Sequence, residues 1–175
     1  AEAFAARRVD LVLQALGDAD VMDADGVDVY KLEPPTEVIN VPDPHGPEAA
    51  SVQARFDKVA AGANRPWVLL SAGATPRDFV RLLTYAFRAG ANGYLAGRAI
   101  WADAFSRFPD LAAMESVLVG QAPLLMDEIN ALTDAHATPW MDHRAWQAGV
   151  EMSPSGQEFS PAYGQLARTG AVVAQ

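Results

Sequence analysis

The sequence predicts an α/β fold in which short parallel strands are covered by helices. Three observations predict it. Strand-type apolar runs alternate with helix-type periodic segments in the order β-α-β-α-β-α. The connections between them are short. The middle strand is a continuous apolar run, the pattern of a strand buried on both faces.

Taken in order, residues 3–16 have helical spacing through Phe4, Val9, Leu11, Val12, Leu13 and Leu16, with Gly17 as the expected stop. An acidic turn over 18–25 follows. Residues 26–33 are rich in strand formers, and Pro34-Pro35 end the strand. A polar loop runs to about Pro47, and 48–61 reads as helix. Residues 66–72 form the second strand, and Gly73-Ala74-Thr75 the turn after it. Thr75 suits a helix N-cap, Pro76 the first helical position and Asp78 the third, where Glu is the more usual partner. Phe79, Leu82, Leu83, Ala86 and Phe87 then fall on one face, and Gly90 closes the helix. Residues 93–98 are the third strand. Two helical stretches, 111–119 and 121–136, come next, and a mixed tail begins at Thr138. Three strands are too few to close an eight-stranded barrel, which takes about 250 residues.

With 175 residues, half of them hydrophobic, the chain has enough apolar content for one domain with a real core. A net charge of −9 argues against nucleic acid and anionic membrane as partners, although a pocket can still be locally positive for a small anion. No cysteine is present, so thiolate metal sites and disulfides are excluded. No apolar run approaches the roughly 20 residues that span a bilayer. A cytoplasmic location is the expectation.

Alternation puts Val27, Val29, Lys31 and Glu33 on one face of the first strand, with Asp28, Tyr30 and Leu32 on the other. Lys31 lies near the carboxyl end, where βα folds place their active sites. A lysine desolvated there has a lowered pKa, and its free amine can attack a ketone to form an iminium. Glu33, on the same face, can pair with Lys31 or order the site. The strand alone leaves open a structural Lys31–Glu33 pair without chemistry.

The second strand ends in Ser71-Ala72-Gly73 and leads into a helix amino terminus, where free N–H groups attract anions. Gly73 lets backbone approach a ligand, and the Ser71 hydroxyl can donate. The third strand ends in Gly97-Arg98, whose guanidinium fork suits phosphate oxygens. Two successive turns of this kind match a phosphate site in βα barrels. By themselves they leave open two glycine turns and a surface arginine. Other residues carry less. His45, His136 and His143 lack metal-ligand spacing. If Gly26 is set at the turn position of a calcium loop, Val21 and Leu32 fall where carboxylates are required. Trp67 and Trp101 read as packing residues, and Tyr94 could face either side.

The segments Asp28-Val-Tyr-Lys-Leu-Glu-Pro34, Leu70-Ser-Ala-Gly73, Gly97-Arg98-Ala99 with Trp101, and Ala137-Thr-Pro-Trp140 together resemble, in order and spacing, the carboxyl-terminal part of the tagatose 1,6-bisphosphate aldolase family and its sulfofructose-1-phosphate aldolase relatives. The resemblance covers about residues 26–140. It implies the last three βα units of a (β/α)8 TIM barrel, with residues 1–140 a partial barrel domain and 141–175 a tail without a family counterpart. It implies that Lys31 is the Schiff-base lysine and that Ser71, Gly73 and Arg98 hold phosphate, with Ala72 and Gly97 in the same turns. The implied activity is class I cleavage of a ketose 1-phosphate to dihydroxyacetone phosphate and an aldehyde. Neither metal nor cofactor is expected, since the iminium is the electron sink. The expected partner is a small anionic phosphosugar. The open sheet edges leave room for a second copy or a complementing chain. Two rival readings remain: a phosphosugar isomerase or epimerase, and a non-catalytic phosphosugar-binding protein.

Overall fold

A computed structural model of the chain describes residues 2–22, 27–147 and 149. Helix α1 (Glu2–Met22) leads to strand β1 (Tyr30–Leu32), which is followed by α2 (Ala49–Gly62), β2 (Trp67–Leu70), α3 (Pro76–Arg88), β3 (Gly93–Leu95), α4 (Arg98–Phe105) and α5 (Leu111–His136). Two single 3-10 turns, Trp140–Asp142 and Arg144–Trp146, come last. The strands form one parallel sheet in the order β1-β2-β3.

Strand alternation decides which face is covered. Tyr30, Leu32, Trp67 and Leu69 are buried against the helices, where they join Val52, Phe56 and Val59 of α2 and Phe79, Leu82, Leu83 and Tyr85 of α3. Lys31, Val68 and Leu95 stand on the other face, which is open.

Helix α3 organises its surroundings. Thr75 caps it, accepting from the Asp78 amide, as the sequence predicts. Asp78 is buried, and its carboxylate also accepts from the backbone N–H of Val41 at 2.8 Å and of Asn40 at 3.2 Å. Further along, Arg81 donates to the Val41 carbonyl, Tyr85 to that of Pro42 and Arg88 to that of Pro44. The loop after β1 is thereby strapped along α3. Asn92 ties the start of β2 to the end of α5, accepting from Trp67 N and donating to the Thr138 carbonyl.

Several boundaries differ from expectation. Helix α1 runs through Gly17 to Met22, because nothing at that glycine demands a left-handed turn, and an in-helix glycine costs only about 1 kcal/mol. The expected acidic turn is therefore helical at its start, and residues 23–26 lie outside the described residues. Val27–Val29 are not strand, which shortens β1. The third strand ends at Leu95, not Arg98: Gly97 is the N-cap and Arg98 the first residue of α4, a helix absent from the sequence reading. The two helices expected over 111–136 are one. Pro123 inside it leaves the Val119 carbonyl without its helical donor, on an exposed stretch that solvent can reach. Of the expected tail, Arg144 donates to the Ala63 carbonyl and Arg65 stacks over Trp146; residues 148 and 150–175 lie outside the described residues. Among the described residues no helix is long and apolar enough to cross a membrane.

Candidate active site

Register places the site. Lys31 pairs with Val68, and Val68 with Gly93, so these three make one layer across the open face. Gly93 keeps the layer low beside the lysine; a Cβ there would meet the Val68 side chain at 3.5 Å. Glu33 lies just past the end of β1. Lys31 and Glu33 are both exposed. The expected desolvation of Lys31 is not present: strand alternation turns its side chain away from the buried Tyr30 and Leu32, and it stays exposed.

At the carboxyl end of β2 the chain makes a tight turn. Ser71 is buried; its N–H donates to the Leu95 carbonyl and its own carbonyl accepts from Ala74 N. Ala72 and Gly73 are both left-handed, at φ 51° and 84°. For Ala72 this costs about 1–2 kcal/mol, a strain of the kind that collects at ligand sites. Gly73 is required twice over: by its φ, and because a Cβ would lie 3.3 Å from Cζ and Nη2 of Arg98. The guanidinium thus rests against the Gly73 backbone, bringing together two turns that are 25 residues apart in the chain. No hydrogen bond or ion pair ties Arg98 to another described residue, so its fork is open to an anion.

Helix α4 adds to this cradle. Gly97 contributes no capping side chain, and the N–H groups of Arg98 and Ala99 open the helix. The Trp101 indole packs 3.4 Å from where a Gly97 Cβ would be, and stacks edge-on with Phe105. A short helix after the last strand, its amino end beside the preceding βα turn, is the arrangement of barrel phosphate sites. Sequence reasoning missed its helical nature, although Arg98-Ala-Ile-Trp-Ala carries no strand alternation. The Tyr94 question resolves toward the helices: its hydroxyl donates to Asn130, its ring meets Phe79 edge-on, and burial raises its pKa.

The two halves of the site open into different cavities. Lys31 and Glu33 line a groove of about 360 Å³ between β1 and α1, together with Arg8, Leu11, Val12 and Leu16. Gly73, Thr75 and Arg98 border one of about 470 Å³ reaching to α5, where Asp103 and Glu128 also lie. They share the carboxyl ends of adjacent strands but no described contact. Among the described residues no group of three could hold a metal ion.

A parallel sheet of βα units, with Lys31 at the end of one strand and the Gly73–Arg98 approach after the next two, fits a portion of a TIM barrel. Residues 6–103 match the family model described as DeoC/LacD family aldolase. The chain is 32% identical over 126 residues to tagatose 1,6-diphosphate aldolase 1 of Streptococcus pyogenes serotype M3, covering 67% of this chain and 38% of that protein. It is 30% identical over 126 residues to tagatose 1,6-diphosphate aldolase 2 of Streptococcus mutans serotype c, with the same coverage. Against tagatose 1,6-diphosphate aldolase of Streptococcus pneumoniae serotype 4 the identity is 31% over 128 residues, 66% of this chain and 38% of that protein. The chain belongs to the DeoC/LacD aldolase family. It spans about two fifths of the length of the curated relatives it matches.

Proposed function

We propose that this chain carries the carbonyl- and phosphate-binding part of a Schiff-base aldolase acting on a ketose 1-phosphate of the tagatose or fructose bisphosphate type. The observation that carries this reading is the placement of Lys31 and the Gly73–Arg98 cradle at the carboxyl ends of adjacent parallel strands in a chain of this family. Ser71, the Ala72–Gly73 turn, the α4 amino terminus at Gly97 and Arg98 hold the C1 phosphate. The Lys31 amine adds to C2, and loss of water gives the iminium. A base removes the C4 hydroxyl proton, the C3–C4 bond breaks, and its electrons pass to the iminium nitrogen as the aldehyde leaves. The resulting enamine takes a proton at C3, and water releases dihydroxyacetone phosphate and the free amine. Glu33 orients the Lys31 ammonium between turnovers.

The exposure of Lys31 is the reason that a cover over the open face belongs to this proposal: only a confined amine loses its proton readily near neutral pH. The same exposure favours a second reading, in which the domain binds a phosphosugar without turning it over. Cleavage of tagatose 1,6-bisphosphate by the whole protein and by Lys31→Arg separates the two. Cleavage that disappears in Lys31→Arg, which cannot form an iminium, supports the aldolase. Binding without cleavage supports the second reading, and full cleavage by Lys31→Arg refutes the Schiff base.

A further inference from the structure

A third cavity, of about 290 Å³, is lined by His45, Thr84, Phe87, Arg88, Leu132 and His136. It lies at the far end of α3 from the cradle: Arg88 is twelve residues beyond Pro76, about 18 Å along the helix axis. Three elements meet there, the loop strapped on α3 and the last turns of α3 and α5. In a chain of net charge −9, three basic side chains converge on this cavity with no carboxylate in its lining. Asp43, two residues before His45, pairs with Arg81 and accepts from the His45 amide, and the His45 ring is among the charges that lower its pKa.

We propose that this cavity is a second anion site, taking a compact oxyanion of the phosphate type. The Arg88 guanidinium is held in place: one terminal nitrogen donates to the Pro44 carbonyl at 2.7 Å and the other meets His45 Nδ1 at 3.4 Å. When Nδ1 accepts from the guanidinium, the ring proton of His45 sits on Nε2 as a further donor. His136 brings a second imidazole from α5. Thr84 gives no donor, because its hydroxyl is committed to the Val80 carbonyl. Phe87 and Leu132 form apolar walls that strengthen a charge interaction between them. A metal ion is disfavoured by the fixed positive charge of Arg88 against the His45 ring. The helix carboxyl ends oppose an anion, each by about half a charge. At α3 that opposition is reduced, since the N–H groups of Ala89, Gly90 and Ala91 occupy the carbonyls of residues 85–87.

Phosphate binding at this cavity is separable from the cradle at Arg98. In Arg98→Gln, which opens the cradle fork, inorganic phosphate is titrated at constant ionic strength while the His45 and His136 ring signals are followed by NMR and affinity by calorimetry. Saturable shifts of both rings are expected. Arg88→Gln and the double variant His45→Gln/His136→Gln each weaken phosphate by about tenfold or more, the scale of a lost charge-assisted hydrogen bond. The double variant removes two exposed side chains and leaves the Arg88–Pro44 tie intact, so it reports on binding even where Arg88→Gln unfolds. A parallel titration with dihydroxyacetone phosphate distinguishes free phosphate from a sugar phosphate as the natural occupant. Unshifted rings, or undiminished affinity in the double variant, overturn the proposal.

Discussion

Asp78→Ala isolates what fixes the loop between the lysine strand and the rest of the site. Its carboxylate accepts three hydrogen bonds: from Val41 N at 2.8 Å, from Asn40 N at 3.2 Å and from the Thr75 hydroxyl at 2.8 Å. Truncation leaves the Thr75 cap on the Asp78 amide, so helix α3 keeps its start. Asn40 is exposed, and its amide regains water. Val41 is fully buried, and its N–H loses its acceptor. A stranded buried donor and the loss of charge-assisted bonds together cost about 2–4 kcal/mol. For a chain of this size that lowers Tm by roughly 4–16 °C. Thermal unfolding by circular dichroism measures the loss, and hydrogen exchange at Val41 locates it. Asp78→Asn keeps one acceptor oxygen and loses less. A Tm change under about 2 °C, with Val41 still protected, would mean that the strap holds without Asp78 as its anchor.

Other outcomes follow from the same geometry. Gly73→Ala places a Cβ at φ 84° and 3.3 Å from the Arg98 guanidinium, so it should cost about 1–2 kcal/mol of stability and also weaken binding of a phosphorylated ligand at the cradle, read by denaturant unfolding and calorimetry. Ala72→Gly should relieve the neighbouring left-handed strain and raise the urea midpoint, an increment of up to about 1 kcal/mol. The His143 pKa is lowered, first by burial and then by Arg144 and Arg65, and its Nδ1 accepts from Ala145 N, which requires that nitrogen to be unprotonated. A depressed histidine stabilises fully above the ordinary imidazole value, about 6.5, and that contribution is lost as pH falls through the lower folded value. His143→Gln should therefore show a shallower fall of Tm from about pH 7 to pH 5 than the unaltered chain.

The sequence disclosed local chemistry more fully than surroundings. Thr75-Pro-Arg-Asp78 announces a capped helix because the cap is made within four residues. Alternation through Tyr30-Lys-Leu32 assigns Lys31 to its face because the pleat is a local property. The solvation of Lys31 was not legible, since what covers a strand face depends on other elements. Helix α4 was hidden by Gly97-Arg98: read as a strand end, the glycine is in fact an N-cap whose function shows only when Trp101 packs against it. The break expected between Val119 and Gln121 does not form: Gly120 stays helical at the modest cost of an in-helix glycine, and Pro123 is tolerated because the carbonyl it orphans lies at an exposed position. Two successive βα turns foreshadow the meeting of Gly73 and Arg98, but the closeness of the guanidinium to bare backbone is a property of the folded chain alone. The third cavity escaped entirely. Its histidines lie 91 residues apart and have no common motif.

The aldolase proposal stands on covalent chemistry at one amine. It is tested by treating the protein with dihydroxyacetone phosphate and borohydride and mapping the product by peptide mass spectrometry. A reduced triose phosphate adduct on the peptide containing Lys31, absent from Lys31→Arg and diminished in Arg98→Gln, is the expected result. A protein that binds the phosphate at Arg98 yet acquires no mass at Lys31 would contradict the account.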